Sequence, residues 1–205
     1  MSGLFGGPPP SPIPHDWGAS PSIDLINSKW SDHLGRKKIY DRLLEPRFRR
    51  AFLKRWHFKV ADPDNALART ELARLRAFLR GVLEQHAAGM PLTGSMERRL
   101  ESEMNRAPMQ LRVDGGHRRS GRDWDVVLSE IASSAAQLVS ENRTVKVCAN
   151  PNCSWIFVDA SRPRTRRWCN TGVCGSLTNV RRYRLVHAGN VEPSRGPRAA
   201  RAATR

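Results

Sequence analysis

Apolar side chains recur at helical spacing through the middle of the chain. The longest stripe predicts a helix that Gly89 ends, and Asp62-Pro63 predicts its start as an N-cap followed by proline at the first helical position. One face of this helix carries five apolar residues: Leu72, Leu75, Leu79, Val82 and Leu83. Its charged residues fall mostly off that face: Arg74, Arg76, Arg80 and Glu84. The pattern therefore predicts a helix that packs one side against a core.

Four shorter segments also have the periodicity of helices. Residues 36–44 form the first, and a second follows in which Phe48, Phe52 and Trp56 share a face. A third runs from about Gly94 to residue 106. The fourth begins at a capping Asp123, ends near residue 142 and has six apolar residues on one side: Trp124, Val127, Leu128, Ile131, Ala135 and Leu138.

Two short segments have the character of strands. Residues 109–113 alternate and are followed by the turn signal Asp114-Gly115-Gly116, which predicts a small hairpin continuing through residues 117–119. Residues 155–159 are also strand-like, and they lie between two pairs of cysteines. The fold class that follows is mainly α with a small β-hairpin, ending in a cysteine module.

Composition divides the chain into four parts. Residues 1–21 form a Pro- and Gly-rich leader and residues 188–205 a basic tail, and both are expected to be disordered because neither can bury apolar surface. Between them we expect a helical domain over residues 22–142 and a small module over residues 143–187.

The chain is strongly basic, and the excess is concentrated near its end. It has 35 Lys+Arg, 19 Asp+Glu and a formal net charge of +16. Thirteen of the basic and three of the acidic residues lie from Ser140 onward. This asymmetry favours contact with a polyanion, although a merely solvated basic surface has the same composition.

The chain has neither an apolar run of membrane-spanning length nor a secretory signal at Met1–Phe5. We therefore expect a cytoplasmic protein without a membrane association. Because disulfides rarely persist in that compartment, paired cysteines there point to a metal.

Four cysteines form two pairs with equal internal spacing. Cys148 and Cys153 are separated by four residues, as are Cys169 and Cys174. Each pair can form one knuckle of a tetrahedral Zn²⁺ site, and four thiolates leave no position for a reactive water, so one structural zinc ion is predicted. The order knuckle, hairpin, knuckle, helix corresponds to a treble-clef-like zinc-finger module with four cysteine ligands. Two disulfides, four free thiols or another metal are the alternatives.

The cysteine module resembles the CGNR zinc finger. That family combines Cys-x4-Cys, a Phe-x-Asp-x-Ser-Arg stretch, Arg-x-Trp-Cys, four further residues, Cys-Gly-Asn-Arg and a basic helix. This chain has Phe157-Val158-Asp159-Ala160-Ser161-Arg162, then Arg167-Trp168-Cys169, then Cys174-Gly175. It departs from the family at Ser176-Leu177, which stand where the family has Asn-Arg.

The chain before the module resembles the ABATE domain that precedes this finger. The segment Ile23-Asp24-Leu25-Ile26-Asn27-Ser28 is similar to the family's opening Leu-Asp-Phe-Val-Asn-Thr motif, and the two resemblances together cover residues 22–186. This family is described as stress-induced transcription regulators. The resemblance therefore implies a bacterial regulator in which the helical domain senses a ligand or partner and the finger binds DNA.

Seven arginines of the module are candidates for nucleic-acid contact. On a helix from Gly175, one broad side carries Leu177, Val180, Tyr183 and His187. The candidate arginines come from the hairpin and from this helix: Arg162, Arg164, Arg166, Arg167, Arg181, Arg182 and Arg184. Binding to RNA through the same cluster, or pairing of these arginines with acids of the helical domain, are the alternatives.

The sequence has no catalytic motif that we could identify, so we expect no enzyme activity. Asp24 and Asn27, one turn apart, could contact a small ligand, although a helix-capping role is favoured. Trp168 is expected to cover the zinc site. The alternative function is a zinc-stabilised protein-docking module attached to a small-molecule-binding or enzymatic helical domain.

Overall fold

The computed structural model describes residues 19–31 and 39–187. The expected basic tail and nearly all of the expected leader lie outside these residues. The described helices are α1 (Pro21–Asn27), α2 (Pro46–Arg55), α3 (Ala66–Ala87), α4 (Gly94–Met104), α5 (Asp123–Ser140) and α6 (Ser176–His187). Three antiparallel pairs accompany them: β1 (Lys29–Ser31) with β2 (Ile39–Asp41), β3 (Met109–Leu111) with β4 (His117–Arg119), and β5 (Val145–Val147) with β6 (Ile156–Val158).

The core lies where α1, α3 and α5 pack together, and α4 covers α5. The predicted apolar stripe of α3 is confirmed, since Leu79, Val82 and Leu83 are fully buried and Leu72 and Leu75 nearly so. Burying a leucine of this kind stabilises the fold by about 1.5–3 kcal/mol. The mainly helical fold with small antiparallel strand pairs is therefore as predicted.

The start of α3 differs from the prediction. The helix begins at Ala66, and the side chain of Asn65 caps it by accepting a hydrogen bond from the Ala68 amide (2.9 Å). Asp62 instead accepts from the Asp64 amide (3.0 Å) and so closes a turn before the helix. The capping prediction at Asp62-Pro63 was wrong because this local turn competes for the aspartate.

The predicted helix over residues 36–44 was also wrong where the structure describes it. Residues 39–41 form β2, and a short 3₁₀ turn follows at Arg42–Leu44. The strand pairs Tyr40 with Trp30, and their rings stack with centroids 4.6 Å apart. This cross-strand aromatic contact outweighs the helical spacing.

Arg76 lies inside the protein, although the helical pattern placed it off the apolar face. Its guanidinium donates to both carboxylate oxygens of Asp41 (2.7 and 2.5 Å) and to the Ser28 hydroxyl (2.9 Å). Burial raises the pKa of Asp41, but the hydrogen bonds and the charge of Arg76 outweigh it and hold that pKa below its ordinary value. The pair joins α3 to the end of β2.

The predicted β3–β4 hairpin forms, although its first strand ends at Leu111 and not at residue 113, and Met109 lies opposite Arg119. Arg119 anchors the hairpin because its guanidinium donates to the Ala107 carbonyl (2.9 Å) and to the Glu130 carboxylate (2.6 Å). The hairpin is thus fixed against the first half of α5.

The hairpin expected between the two cysteine pairs was wrong, since β6 pairs with β5, which precedes the first pair, and residues 159–170 form no strand. The β5–β6 pair belongs to the same core as the helices. Val145 and Ile156 are buried in the main hydrophobic cluster, and α1 contacts β6. The cysteine module therefore packs directly on the helical part of the chain. Within the described ranges no helix is both long and apolar enough to cross a bilayer.

Candidate metal centre

The four cysteine sulfurs converge on one point. All lie within 4.8 Å of one another; Cys169 Sγ is 3.8 Å from Cys153 Sγ and 3.7 Å from Cys174 Sγ. Four sulfurs bound tetrahedrally at about 2.3 Å from a zinc ion are about 3.8 Å apart. A disulfide needs about 2.05 Å, and all four thiols are free. The donor set and its spacing fit one Zn²⁺ ion.

The first knuckle is built around a buried asparagine. Asn150 is fully buried, and its side-chain oxygen accepts from the Asn152 amide (3.1 Å) while its carbonyl accepts from the Cys153 amide (2.8 Å). These bonds close the loop that turns Cys153 back toward Cys148. The Cys148 amide donates to the carbonyl of Trp155 (2.9 Å), the residue just before β6.

The second knuckle uses Asn170 in the same manner. Its side-chain oxygen accepts from the Val173 amide (3.0 Å), and its carbonyl accepts from the Cys174 amide (2.9 Å). Residues Thr171–Gly175 form a wide π-helical turn that leads straight into α6. The Cys169 amide points at Cys148 Sγ (3.5 Å), as expected for a sulfur that carries negative charge.

Hydrogen bonds among the clustered thiols shift their pKa values in opposite directions. The hydrogen bond with Cys153 lowers the pKa of Cys148 and, reciprocally, raises the pKa of Cys153. Four thiols at these distances cannot all ionise without a cation. A divalent ion would remove that conflict, and a zinc–tetrathiolate unit has a formal charge of about −2.

Two tryptophans shield the sulfurs. Trp155 and Trp168 pack against the cysteine cluster, as expected for Trp168. A Cβ on Gly175 would lie 3.3 Å from Cε3 of Trp168. Glycine follows Cys174 because the Trp168 indole lies directly against Gly175. The indole in turn keeps water from the sulfurs.

Asp159 organises the chain between the knuckles. It accepts hydrogen bonds from Lys146 Nζ (2.7 Å), the Ser161 hydroxyl (2.6 Å) and the Arg166 amide (2.9 Å). Burial raises the pKa of Asp159, but these donors outweigh it and hold the pKa well below its ordinary value. The Phe-x-Asp-x-Ser pattern thus describes a carboxylate that fixes the turn leading to Cys169.

The seven candidate arginines divide into two groups. Three are engaged within the module: Arg166 donates to the Cys169 carbonyl (2.6 Å), Arg167 lies over the Trp168 ring (5.4 Å), and Arg181 faces the Asn152 side-chain amide. The other four are exposed and have no ion pair or side-chain hydrogen bond to any described residue: Arg162, Arg164, Arg182 and Arg184.

Helix α6 leaves most of its surface uncovered. Leu177, Thr178 and Arg181 are half-buried on the side that meets the knuckles. The residues predicted to share a side with Leu177 are exposed, and among them the Tyr183 and His187 rings stack at 4.0 Å. The helix therefore projects from the metal centre, with only its first turns held.

The helix-capping roles expected for Asp24 and Asn27 were wrong. The Asn27 amide pairs with the backbone of Ile156 in β6, and Asp24 accepts a hydrogen bond from the Trp56 indole (2.8 Å). A second link is made by Arg80 of α3, which donates to the Ser154 carbonyl beside the first knuckle. Their partners are distant in the sequence, so no local pattern could have identified them.

Comparison with known families agrees with this architecture. A family model described as "Putative stress-induced transcription regulator", ABATE, matches residues 19–142. The CGNR zinc finger model matches residues 144–185. No curated protein matches the chain.

Proposed function

We propose that this chain, which belongs to the ABATE family, is a DNA-binding regulator. One structural zinc ion, held by Cys148, Cys153, Cys169 and Cys174, would build the arginine-rich surface that contacts DNA. The helical part would sense a ligand or a partner. We expect it to act in the cytoplasm, and we assign it no enzyme activity.

The observation that carries this proposal is the set of four unpaired arginines. In the helical part, several arginines pair with acids, for example Arg49 with Asp64 and Arg106 with Glu71. Arg162, Arg164, Arg182 and Arg184 have no such partner among the described residues, although they share one small module. Exposed guanidinium groups without acidic partners are well suited to bind a phosphate backbone.

The uncovered side of α6 supports DNA as the polyanion. Asn179, Val180 and Tyr183 lie on its outer surface, with Arg182 and Arg184 on either side. The helix is about 18 Å long, and a major groove is about 12 Å wide. Asparagine can pair with adenine and valine can contact a thymine methyl, while the flanking arginines reach phosphates.

Fluorescence anisotropy with a random duplex tests the proposal. The parent should bind with an affinity that falls steeply between about 50 and 200 mM salt. The double variant Arg182→Ala/Arg184→Ala should bind more weakly and reduce the magnitude of the log–log salt slope by about 2, since each lost phosphate contact removes about 0.9.

The matched control removes two exposed arginines from the helical part, Arg98→Ala/Arg112→Ala, and should bind like the parent. An equal loss of duplex affinity in both double variants would show that the net charge of the protein, and not the surface of α6, determines binding. Failure of the parent to bind duplex DNA would exclude the proposed function, and preference for single-stranded RNA would assign the surface to RNA.

The exposed apolar residues of α6 favour a second candidate, a protein-docking module. Tyr183 is 64% exposed, Val186 66% and Leu185 79%, which is unusual for a helix in water. In this case Tyr183→Ser/Val186→Ser should leave DNA affinity unchanged. If DNA contacts these residues, the same variant should bind duplex DNA more weakly than the parent does.

A further inference from the structure

A groove on the helical part of the chain lies away from the metal centre. It is bounded by the segment after α2, the β3–β4 hairpin and the first turns of α5, and its volume is about 760 Å³. Small-molecule sites commonly occupy about 300–1,000 Å³. Its apolar lining comes from Trp56, Phe58, Val126 and Val127.

The acidic side chains of this groove are already occupied. Asp123 accepts hydrogen bonds from the Ala61 amide (2.6 Å) and the Trp124 amide (2.8 Å). Glu130 accepts from Arg119 (2.6 Å). The negative charge of Glu130 is therefore offset by Arg119, and both oxygens of Asp123 already accept backbone amides.

The basic side chains are available. His57, Lys59 and Arg118 line the groove, are exposed and make no side-chain hydrogen bond or ion pair with any residue that the structure describes. Two cations and an imidazole in a groove that is also lined by aromatic rings match a ligand that has one anionic end and a flat apolar body.

His57 has a backbone conformation that favours glycine, so its side chain is unexpected at this position. Helices α2, α3 and α5 end in the same way. Each is followed by a residue with positive φ, and the backbone amide of the next residue donates a hydrogen bond to a carbonyl in the last turn of the helix. The residues are Gly89 (φ +70°), Asn142 (φ +47°) and His57 (φ +56°). At His57 the closing bond runs from the Phe58 amide to the Leu53 carbonyl (2.9 Å).

Glycine is the usual residue at this position and asparagine the next, because a Cβ is disfavoured in the left-handed conformation. The first two helix ends follow that preference. At the third, beside the groove, the chain has an imidazole that the helix end does not require.

We propose that this groove binds a small organic anion, a carboxylate with a flat apolar body. His57, Lys59 and Arg118 hold the carboxylate, and the rings of Trp56 and Phe58 contact the body. This proposal assigns a class of ligand to the sensing role of the helical part. Its regulatory meaning rests on the proposed function, but binding of the ligand can be measured without DNA.

Isothermal titration of the full-length, zinc-loaded protein tests the proposal. The probes are benzoate, salicylate and indole-3-acetate, each compared with its neutral amide. At least one acid should bind saturably at one site per chain, and its amide should bind about 10-fold more weakly because a charge-assisted hydrogen bond is lost.

His57→Gly gives the sharpest variant, since it removes the imidazole and relieves the backbone. Its melting temperature should equal or exceed that of the parent, while the acid binds several-fold more weakly. Arg118→Ala should weaken binding by about 10-fold. Arg112→Ala, on the same hairpin but outside the groove, should bind like the parent.

Three results would overturn the proposal: no acid binding below about 1 mM, amides binding as tightly as acids, or His57→Gly and Arg118→Ala binding as the parent does. Duplex binding of the same preparation without acid is measured in parallel. DNA binding without acid binding rejects the groove alone, and acid binding without DNA binding rejects the proposed function alone.

Discussion

The side-chain amide of Asn27 pairs with both backbone polar groups of Ile156. Its Nδ2 donates to the Ile156 carbonyl (2.8 Å), and its Oδ1 accepts from the Ile156 amide (2.9 Å). The amide thus acts as a neighbouring strand would, and it joins α1 to the cysteine module across 129 residues of sequence.

Replacing Asn27 with alanine should destabilise the whole protein. Two buried backbone groups of Ile156 would lose their partners, which costs about 2–5 kcal/mol. Urea unfolding followed by circular dichroism measures this loss. Asn105→Ala, at an exposed helix end, is the control and should change stability by less than about 0.5 kcal/mol. Equally small changes in both variants would show that the hydrogen bonds between Asn27 and Ile156 do not stabilise the fold.

Gly175→Ala should weaken the metal site through Trp168. The added Cβ would lie 3.3 Å from the indole, so the ring must shift and uncover the sulfurs, at a cost of about 1–3 kcal/mol. Competition with a zinc-binding dye measures the affinity. At Gly172, in the same turn, a Cβ meets nothing closer than 3.5 Å, so Gly172→Ala should retain zinc better. Equal affinities would contradict the packing argument.

Arg166 and Arg162 should separate structural from DNA-binding roles. Arg166→Ala removes the hydrogen bond to the Cys169 carbonyl and the contact over the Phe157 ring, so it should lower both the melting temperature and zinc retention. Arg162→Ala should lower duplex affinity without changing the melting temperature. Thermal denaturation and anisotropy on the same samples test this difference, and a reversed result would exchange the two roles.

The Asp41–Arg76 pair should give a defined pH dependence. Because the pKa of Asp41 is lowered in the folded state from 3.8, its ionised form contributes stability above about pH 4, which is lost as the pH falls through the folded value. Asp41→Asn should destabilise the protein at pH 7, where breaking a largely buried pair costs about 2–4 kcal/mol.

The difference between parent and Asp41→Asn should shrink as the pH falls from about 4 toward about 2. At each pH the free energy of unfolding of the variant is subtracted from that of the parent, so the effect of zinc release, which both proteins share, cancels. Asp114→Asn, in the exposed β3–β4 turn, is the control. A difference that stays constant with pH would show that ionisation of Asp41 does not stabilise the fold.

Local patterns predicted what depends on neighbours in sequence. The stripe of α3, the β3–β4 hairpin and the two cysteine pairs all follow from spacing over at most a few turns. The roles of Asn27, Arg76 and Arg80 could not be predicted in this way, since each depends on a partner at least 35 residues away. The helix expected at residues 36–44 failed for a different reason: Tyr40 pairs with the nearby Trp30 in a strand, and the stacked rings outweigh the helical spacing.

The claim on which the rest depends is that one zinc ion joins both knuckles and so holds α6 in place. Native mass spectrometry of freshly purified protein tests it most directly. The parent should carry one zinc ion per chain, and Cys148→Ser/Cys174→Ser, which removes one ligand from each knuckle, should carry none. A metal-free parent, or a double variant that retains a full equivalent of zinc, would contradict the account.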